Sequence, residues 1–200
     1  MNAILKNPVL IIVDVQNVLD DPKQGQPNNP RAEKNITKIL DRWRKKSLPL
    51  FHVQYISPRK ASPFHKDAPG SKLKESVQPL PGEPLIIKHF ESAFMKTDLE
   101  DRLKKTDADA LVFVGYYTDQ CVASTAKVAN NLGFKVFVVA DATAATGCRG
   151  YNGKYYDAED IHQMTLGSLQ RDGITVIQTS DLMTFAAGSK GGSFRENLPP

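Results

Sequence analysis

Short apolar runs alternate with amphipathic stretches along the whole chain. Residues 9–13, 50–53, 85–87, 110–114, 136–140 and 174–177 are apolar almost without interruption. Continuous rather than alternating hydrophobicity is what strands buried on both faces require, so each run reads as an interior strand. Between the first two runs, Ala32, Ile36, Ile39, Leu40 and Trp43 recur at helical spacing just after Pro30, which predicts a crossover helix. Thr97 and Glu100 have the spacing of a capping box for a helix reaching Lys105, and Gly133 is placed to end a helix that begins near Cys121. Asp157 is placed to cap a further helix carrying Ala158, Ile161, Thr165 and Leu169 and closed at Gly173.

Repeated strand–helix–strand order with right-handed crossovers predicts an α/β fold: three layers, doubly wound, with a mostly parallel sheet of about six strands and helices on both faces. Residues 57–84 break this rhythm with many prolines and with Gly70 and Gly82, so they read as a long loop that shapes or covers a site, a candidate lid. Residues 187–200 are rich in Gly, Ser and charge and read as a polar C-terminal tail after one domain spanning 1–186.

Composition narrows the class further. The chain has 200 residues and 40% hydrophobic content, enough for one substantial core. Its two cysteines, Cys121 and Cys148, are spaced neither as a disulfide framework nor as a zinc site, which fits a reducing, cytoplasmic setting. The opening residues show no secretory pattern, and the first apolar run is cut by Asp14, so neither a signal peptide nor a membrane partner is expected. The net charge of +4 is concentrated in the first half, densest at residues 42–46, where it falls at the end of the first predicted helix. Cations are favoured there by the helix dipole, and no recognition motif accompanies them, so no nucleic-acid partner is expected. A small-molecule substrate, including an anionic one, remains compatible with this charge.

Candidate chemistry collects at one edge of the predicted sheet. Cys121 follows the fourth apolar run and precedes a small-residue stretch, an order that reads as strand, tight turn and helix with a thiol in the first turn. A helix start favours thiolate and can hold an oxyanion, although a cysteine there can equally be a small buried hydrophobe. Asp14 ends the first predicted strand and Lys88 the third. In an open parallel sheet the carboxyl ends of the strands form the ligand crevice, so the coincidence of Asp, Lys and Cys there points to catalysis more than any one of them would.

The segments Ile11-Ile12-Val13-Asp14-Val15-Gln16-Asn17, Lys88-His89-Phe90-Glu91-Ser92-Ala93-Phe94 and Gly115-Tyr116-Tyr117-Thr118-Asp119-Gln120-Cys121-Val122 resemble the three signatures of the isochorismatase-like cysteine hydrolase superfamily. Asp141-Ala142 and Ile161-His162 resemble it too, so the similarity spans about residues 8–185. The resemblance implies a catalytic triad of Asp14, Lys88 and Cys121. Asp14 would take the thiol proton and return it to the leaving amine, Lys88 would favour the thiolate, and Cys121 would attack a carbonyl carbon. It also implies an oxyanion hole of the backbone N–H groups of Tyr117 and Cys121, a cis peptide between Tyr116 and Tyr117, and a homo-oligomer of two or more subunits.

Nicotinamidases within the superfamily carry an Asp and two His metal ligands after the second strand. Here that stretch is Gln54-Tyr55-Ile56-Ser57-Pro58, and His52, His65 and His89 are scattered, so no metal and no cofactor are expected. The expected function is a metal-independent cysteine amidohydrolase cleaving a small carboxamide or ureido-type compound through a Cys thioester. The alternatives are vinyl-ether hydrolysis of the isochorismatase type and a catalytically idle scaffold of the same fold. Gln16, Phe90, Phe94, Tyr116 and Tyr117 are the expected substrate contacts, with Arg149 or Tyr151 supplied by the loop after the fifth strand.

Overall fold

A computed structural model describes residues 7–185 of the chain; the predicted tail lies outside them. The strands are β1 (Pro8–Val13), β2 (Leu50–Tyr55), β3 (Leu85–Lys88), β4 (Ala110–Tyr116), β5 (Val136–Ala144), β6 (Cys148–Arg149), β7 (Tyr155–Tyr156) and β8 (Thr175–Ile177). The helices are α1 (Ala32–Lys45), α2 (Leu99–Lys104), α3 (Ala123–Asn131), α4 (Ala158–Arg171) and α5 (Thr179–Phe185). Six strands form one parallel sheet in the order β3-β2-β1-β4-β5-β8, while β6 and β7 make a separate antiparallel hairpin. All residues of β1 and β4 are buried, as their unbroken apolar runs require.

Two cores lie on opposite faces of the sheet. Ile36, Ile39, Leu40 and Trp43 of α1 and Leu182 of α5 pack on one face with Leu10, Ile12, Val112 and Val114. Val9, Ile11, Val13, Leu111 and Phe113 meet Ala126 and Ala129 of α3 and Leu166 and Leu169 of α4 on the other. Alternate residues of the same strand thus feed alternate cores, which fixes the sheet's position between the helices. Trp43 is fully buried and its indole N–H donates to Pro8 O at 3.2 Å, tying the end of α1 to the start of β1.

Several local expectations need correction. Thr97 does not form a capping box with Glu100: its hydroxyl accepts the Leu99 N–H, while Glu100 pairs with Lys104 one turn on. Asp157 does cap α4 through the Asp160 N–H at 2.8 Å, and Leu169 is buried as predicted, but His162 and Leu166 rather than Ile161 and Thr165 complete the buried face. β5 runs on to Ala144 through a register shift against β4, and Asp141 falls in this irregular stretch. There its carboxylate accepts from Thr179 N–H and Asn35 Nδ2, joining α5, α1 and β5.

Residues 57–84 contain short 3-10 turns at Pro69–Ser71 and Glu75–Val77 and isolated bridges from Ser57 to His65 and from Leu73 to Gln16. They are nevertheless anchored. Val77 enters the α1 core, and Arg44 binds Glu83 and the Gln78 carbonyl. His52 Nε2 lies 2.9 Å from Glu83. Only the first part of the segment borders the cavity described below.

Candidate active site

Strand order reverses between β1 and β4, so the loops leaving them diverge and open a crevice at their carboxyl ends. The two strands come unusually close there. Gly115 has φ +123°, and a Cβ on it would lie 2.0 Å from Val13 O, so no side chain fits at this position. Immediately after Val13, Asp14 adopts φ 51°, a left-handed conformation uncommon outside glycine, and the chain turns at once. On the β4 side the peptide between Tyr116 and Tyr117 is cis, and a single π turn, Thr118–Val122, leads into α3 with Cys121 inside it. Such turns recur at functional sites because they displace one residue from regular helix geometry.

Lys88 closes β3 and is fully buried. Its stem crosses the end of β2 with Nζ 4.9 Å from the centre of the Tyr55 ring. Nζ then lies 2.7 Å from Asp14 Oδ2, 2.9 Å from Cys121 Sγ and 3.2 Å from Phe90 O. Side chains from the ends of β1 and β3 and from the turn after β4 therefore share one buried point. The segment after β3 is fastened to the cysteine as well: Ala93 N–H donates to Thr125 Oγ1, whose hydroxyl donates to Cys121 O.

The electrostatics differ from the sequence expectation in one respect. A helix start and Lys88 were expected to keep Cys121 as thiolate; instead burial pushes the thiol up to about 12, the Asp14 carboxylate adds to this, and Lys88 only partly opposes it. Burial also raises the Asp14 carboxyl above the ordinary carboxylate range against the pull of Lys88. Burial disfavours the Lys88 ammonium, yet the neighbouring Asp14 and Cys121 outweigh it and hold Lys88 above its usual value. A thiol held high by burial thus sits beside the Asp14–Lys88 ion pair.

Beside this cluster lies a cavity of about 500 Å³ lined by Asp14, Cys121, Tyr116, Tyr117 and Phe90, all anticipated from the sequence. Tyr55, Phe64, Arg59, His89 and Glu91 line it too and were not anticipated. Tyr55 could have been found as the last residue of β2, and His89 and Glu91 belong to a segment already singled out. Arg59 and Phe64 sit in an aperiodic loop that gives no signal.

Four expected substrate contacts lie elsewhere. Gln16 is fully buried and serves as a strut, its amide N–H groups donating to Tyr55 O at 2.9 Å and Ser71 O at 2.6 Å while its oxygen accepts from Tyr55 N–H. Phe94 packs against the α3-side core. Arg149 is exposed on the β6–β7 hairpin and donates to Gly153 O, and Tyr151 stands fully exposed at its tip. Both belong to a separate hairpin, and neither lines the cavity.

Beneath the π turn, Thr118 Oγ1 and His162 Nδ1 are 2.8 Å apart, and Asn29 Nδ2 approaches His162 Nε2 at 3.5 Å. Burial lowers His162, which fits a neutral ring acting as a support. The site does not fit the metal of the nicotinamidases. His52 faces Glu83, His65 sits beside Asp67 and His89 Nδ1 binds Ile56 O, and among the described residues no three His, Cys, Asp or Glu side chains converge.

A thiol, an ammonium and a carboxylate thus meet at the switch point of a doubly wound parallel sheet, the place where such folds carry their chemistry. The sequence model of the Isochorismatase domain matches residues 8–181, and the chain belongs to the isochorismatase family of hydrolases. It is 41% identical over 174 residues to the uncharacterized isochorismatase family protein YrdC of Bacillus subtilis, covering 87% of this chain and 93% of that protein. It is 27% identical over 177 residues to Nicotinamidase 3 of Arabidopsis thaliana, covering 82% and 81%. A solved isochorismatase-family structure from Chromobacterium violaceum superimposes with a TM-score of 0.89 at 32% identity, covering 94% of this chain and all of that one. No helix among the described residues is long and apolar enough to cross a membrane.

Proposed function

We propose that the protein is a metal-independent cysteine amidohydrolase acting on a small carboxamide or ureido-type compound. The observation that carries this reading is the contact of Lys88 Nζ with both Cys121 Sγ and Asp14 Oδ2, at 2.9 and 2.7 Å. A neutral thiol is a poor nucleophile, so the proton must leave as the bond to carbon forms. Asp14 accepts it, and Lys88 balances the negative charge that passes to sulfur and then to the carbonyl oxygen. The backbone N–H groups of Tyr117 and Cys121 receive that oxyanion in this reading. As the tetrahedral centre collapses, the C–N bond breaks and Asp14 returns its proton to the departing nitrogen, leaving ammonia or an amine and a thioester on Cys121. A water that gives a proton to Asp14 then attacks the thioester, releasing the acid and restoring the thiol.

The raised Asp14 carboxyl also suits protonation of an enol ether, the chemistry of the alternative reading. The contact of Lys88 with Cys121 favours the amide, because an ether protonation has no use for the sulfur. Stopped turnover of a small amide, followed by intact-protein mass spectrometry, tests this. The acyl mass is expected on the peptide containing Cys121. An enzyme that turns over with no acyl adduct at any stage would exclude the thioester route.

A further inference from the structure

The cavity holds one feature that the thioester mechanism leaves unused. Arg59 lines it together with Cys121, yet among the described residues its guanidinium has no hydrogen-bond or ion-pair partner. The loop that carries it is fixed at its base. Ser57 is buried, its N–H donates to Phe64 O at 3.0 Å, and its Oγ accepts the Arg59 N–H at 3.3 Å. The Ser62 N–H donates to Arg59 O at 3.0 Å, and the Phe64 ring stacks edge-on to Tyr55 at 5.4 Å between centroids. The backbone is held while the exposed cation stays open to solvent or to a ligand in the cavity.

The charges of the other lining residues sharpen this. Asp14 and Lys88 neutralise one another, so Arg59 supplies the uncompensated positive charge of the cavity. Glu91, from the segment after β3, is also unpaired among the described residues, and its field is felt by Asp119 in the turn that carries Cys121. A negative group on the substrate is therefore drawn to Arg59 and repelled by Glu91. Aromatic rings fill much of the remaining wall, leaving room for a small and largely flat molecule.

Resting on the amidohydrolase reading, we propose that Arg59 anchors a substrate carboxylate, so that the preferred substrates are small amide acids whose carboxylate lies on the Arg59 loop while the amide carbon faces Cys121. The guanidinium fork matches a carboxylate in two parallel hydrogen bonds. Arg59 is thus a specificity residue and takes no part in proton transfer.

Binding separates this proposal from the fate of the mechanism. Calorimetric titration of the Cys121→Ala protein with succinamate, glutaramate and their methyl esters requires no turnover. At least one acid is expected to bind about tenfold more tightly than its ester, the gain typical of a charge-assisted hydrogen bond at an exposed site. That gap closes in the Cys121→Ala, Arg59→Ala double variant and survives in part with Arg59→Lys. Equal affinity for acid and ester, a gap that persists without Arg59, or no binding of any of the four overturns the proposal. A protein that shows the gap yet releases no ammonia from these amides when Cys121 is intact keeps the Arg59 anchor and loses the amidohydrolase reading.

Discussion

Lys88 Nζ stands 2.9 Å from Cys121 Sγ although Lys88 ends β3 and Cys121 lies in the turn after β4, strands that β2 and β1 separate in the sheet. The lysine spans this gap because its long stem passes the end of β2 along the Tyr55 ring, with Asp14 at the end of β1 completing the bridge. Most of what can be tested about the site follows from that three-way contact.

Asp14 plays opposing parts in ionising and in using the thiol. Its carboxylate helps keep Cys121 protonated, yet it is the base and acid of the proposed reaction. Asp14→Asn is therefore expected to shift alkylation of Cys121 by iodoacetamide to lower pH while amide turnover falls by about 10²- to 10⁴-fold. In the unaltered protein, exposed Cys148 is expected to label ahead of the half-buried Cys121 near neutral pH. Peptide mapping after timed alkylation reads both. Unchanged labelling of Cys121 in the Asn variant would contradict the electrostatic account.

Lys88 is fully buried with its charge met by Asp14. Lys88→Met leaves that carboxylate without a partner in the interior, at an expected cost of about 3 to 5 kcal/mol in urea denaturation. Adding Asp14→Asn to the same chain should recover much of the loss, since an amide tolerates burial better than an unpaired charge. A double variant as unstable as the single one would show that packing, and not charge, is what Lys88 contributes.

Gly115→Ala is expected to lower stability by at least about 3 kcal/mol, because the added methyl meets the Val13 carbonyl and φ is +123°. Either β1 and β4 separate or the chain rotates, and both displace Asp14, the next residue after Val13. Folded Gly115→Ala protein should thus be far less active than its thermal melt would suggest.

The Glu83 carboxyl is pulled down from 4.5 to about 2, first by the Arg44 guanidinium and then, against the opposing effect of burial, by the Leu80 N–H and His52. A depressed acid stabilises the folded state above its unfolded value and loses that contribution as pH falls through its folded value. Stability should therefore decline between about pH 4.5 and 2, and Glu83→Gln should remove about 1 kcal/mol at neutral pH, a figure reduced for solvent screening. Melts across that range measure the difference, and parallel curves for the two proteins would refute it.

Sequence reading went furthest where one physical cause dominates. The six sheet strands and helices α1, α3 and α4 follow from periodicity, because an apolar face must be buried whatever surrounds it. Asp14, Lys88 and Cys121 were legible as neighbours at one sheet edge, because parallel strands bring their carboxyl ends together. Gln16 and Phe94 were misjudged for a different reason. Each lies a few residues from a triad member along the chain, and nothing local distinguishes a side chain that faces the crevice from one that braces the strands.

The sequence by itself determined the strand–helix rhythm, the doubly wound sheet and the chemical types gathered at its edge, since these follow from short-range periodicity and the handedness of crossovers. Tertiary structure alone decided that burial raises the Cys121 thiol, because desolvation depends on every group packed around the sulfur. It also decided that Arg59 rather than Arg149 borders the cavity. Loop paths are set by the particular hydrogen bonds that anchor them, and those bonds join residues far apart in the chain.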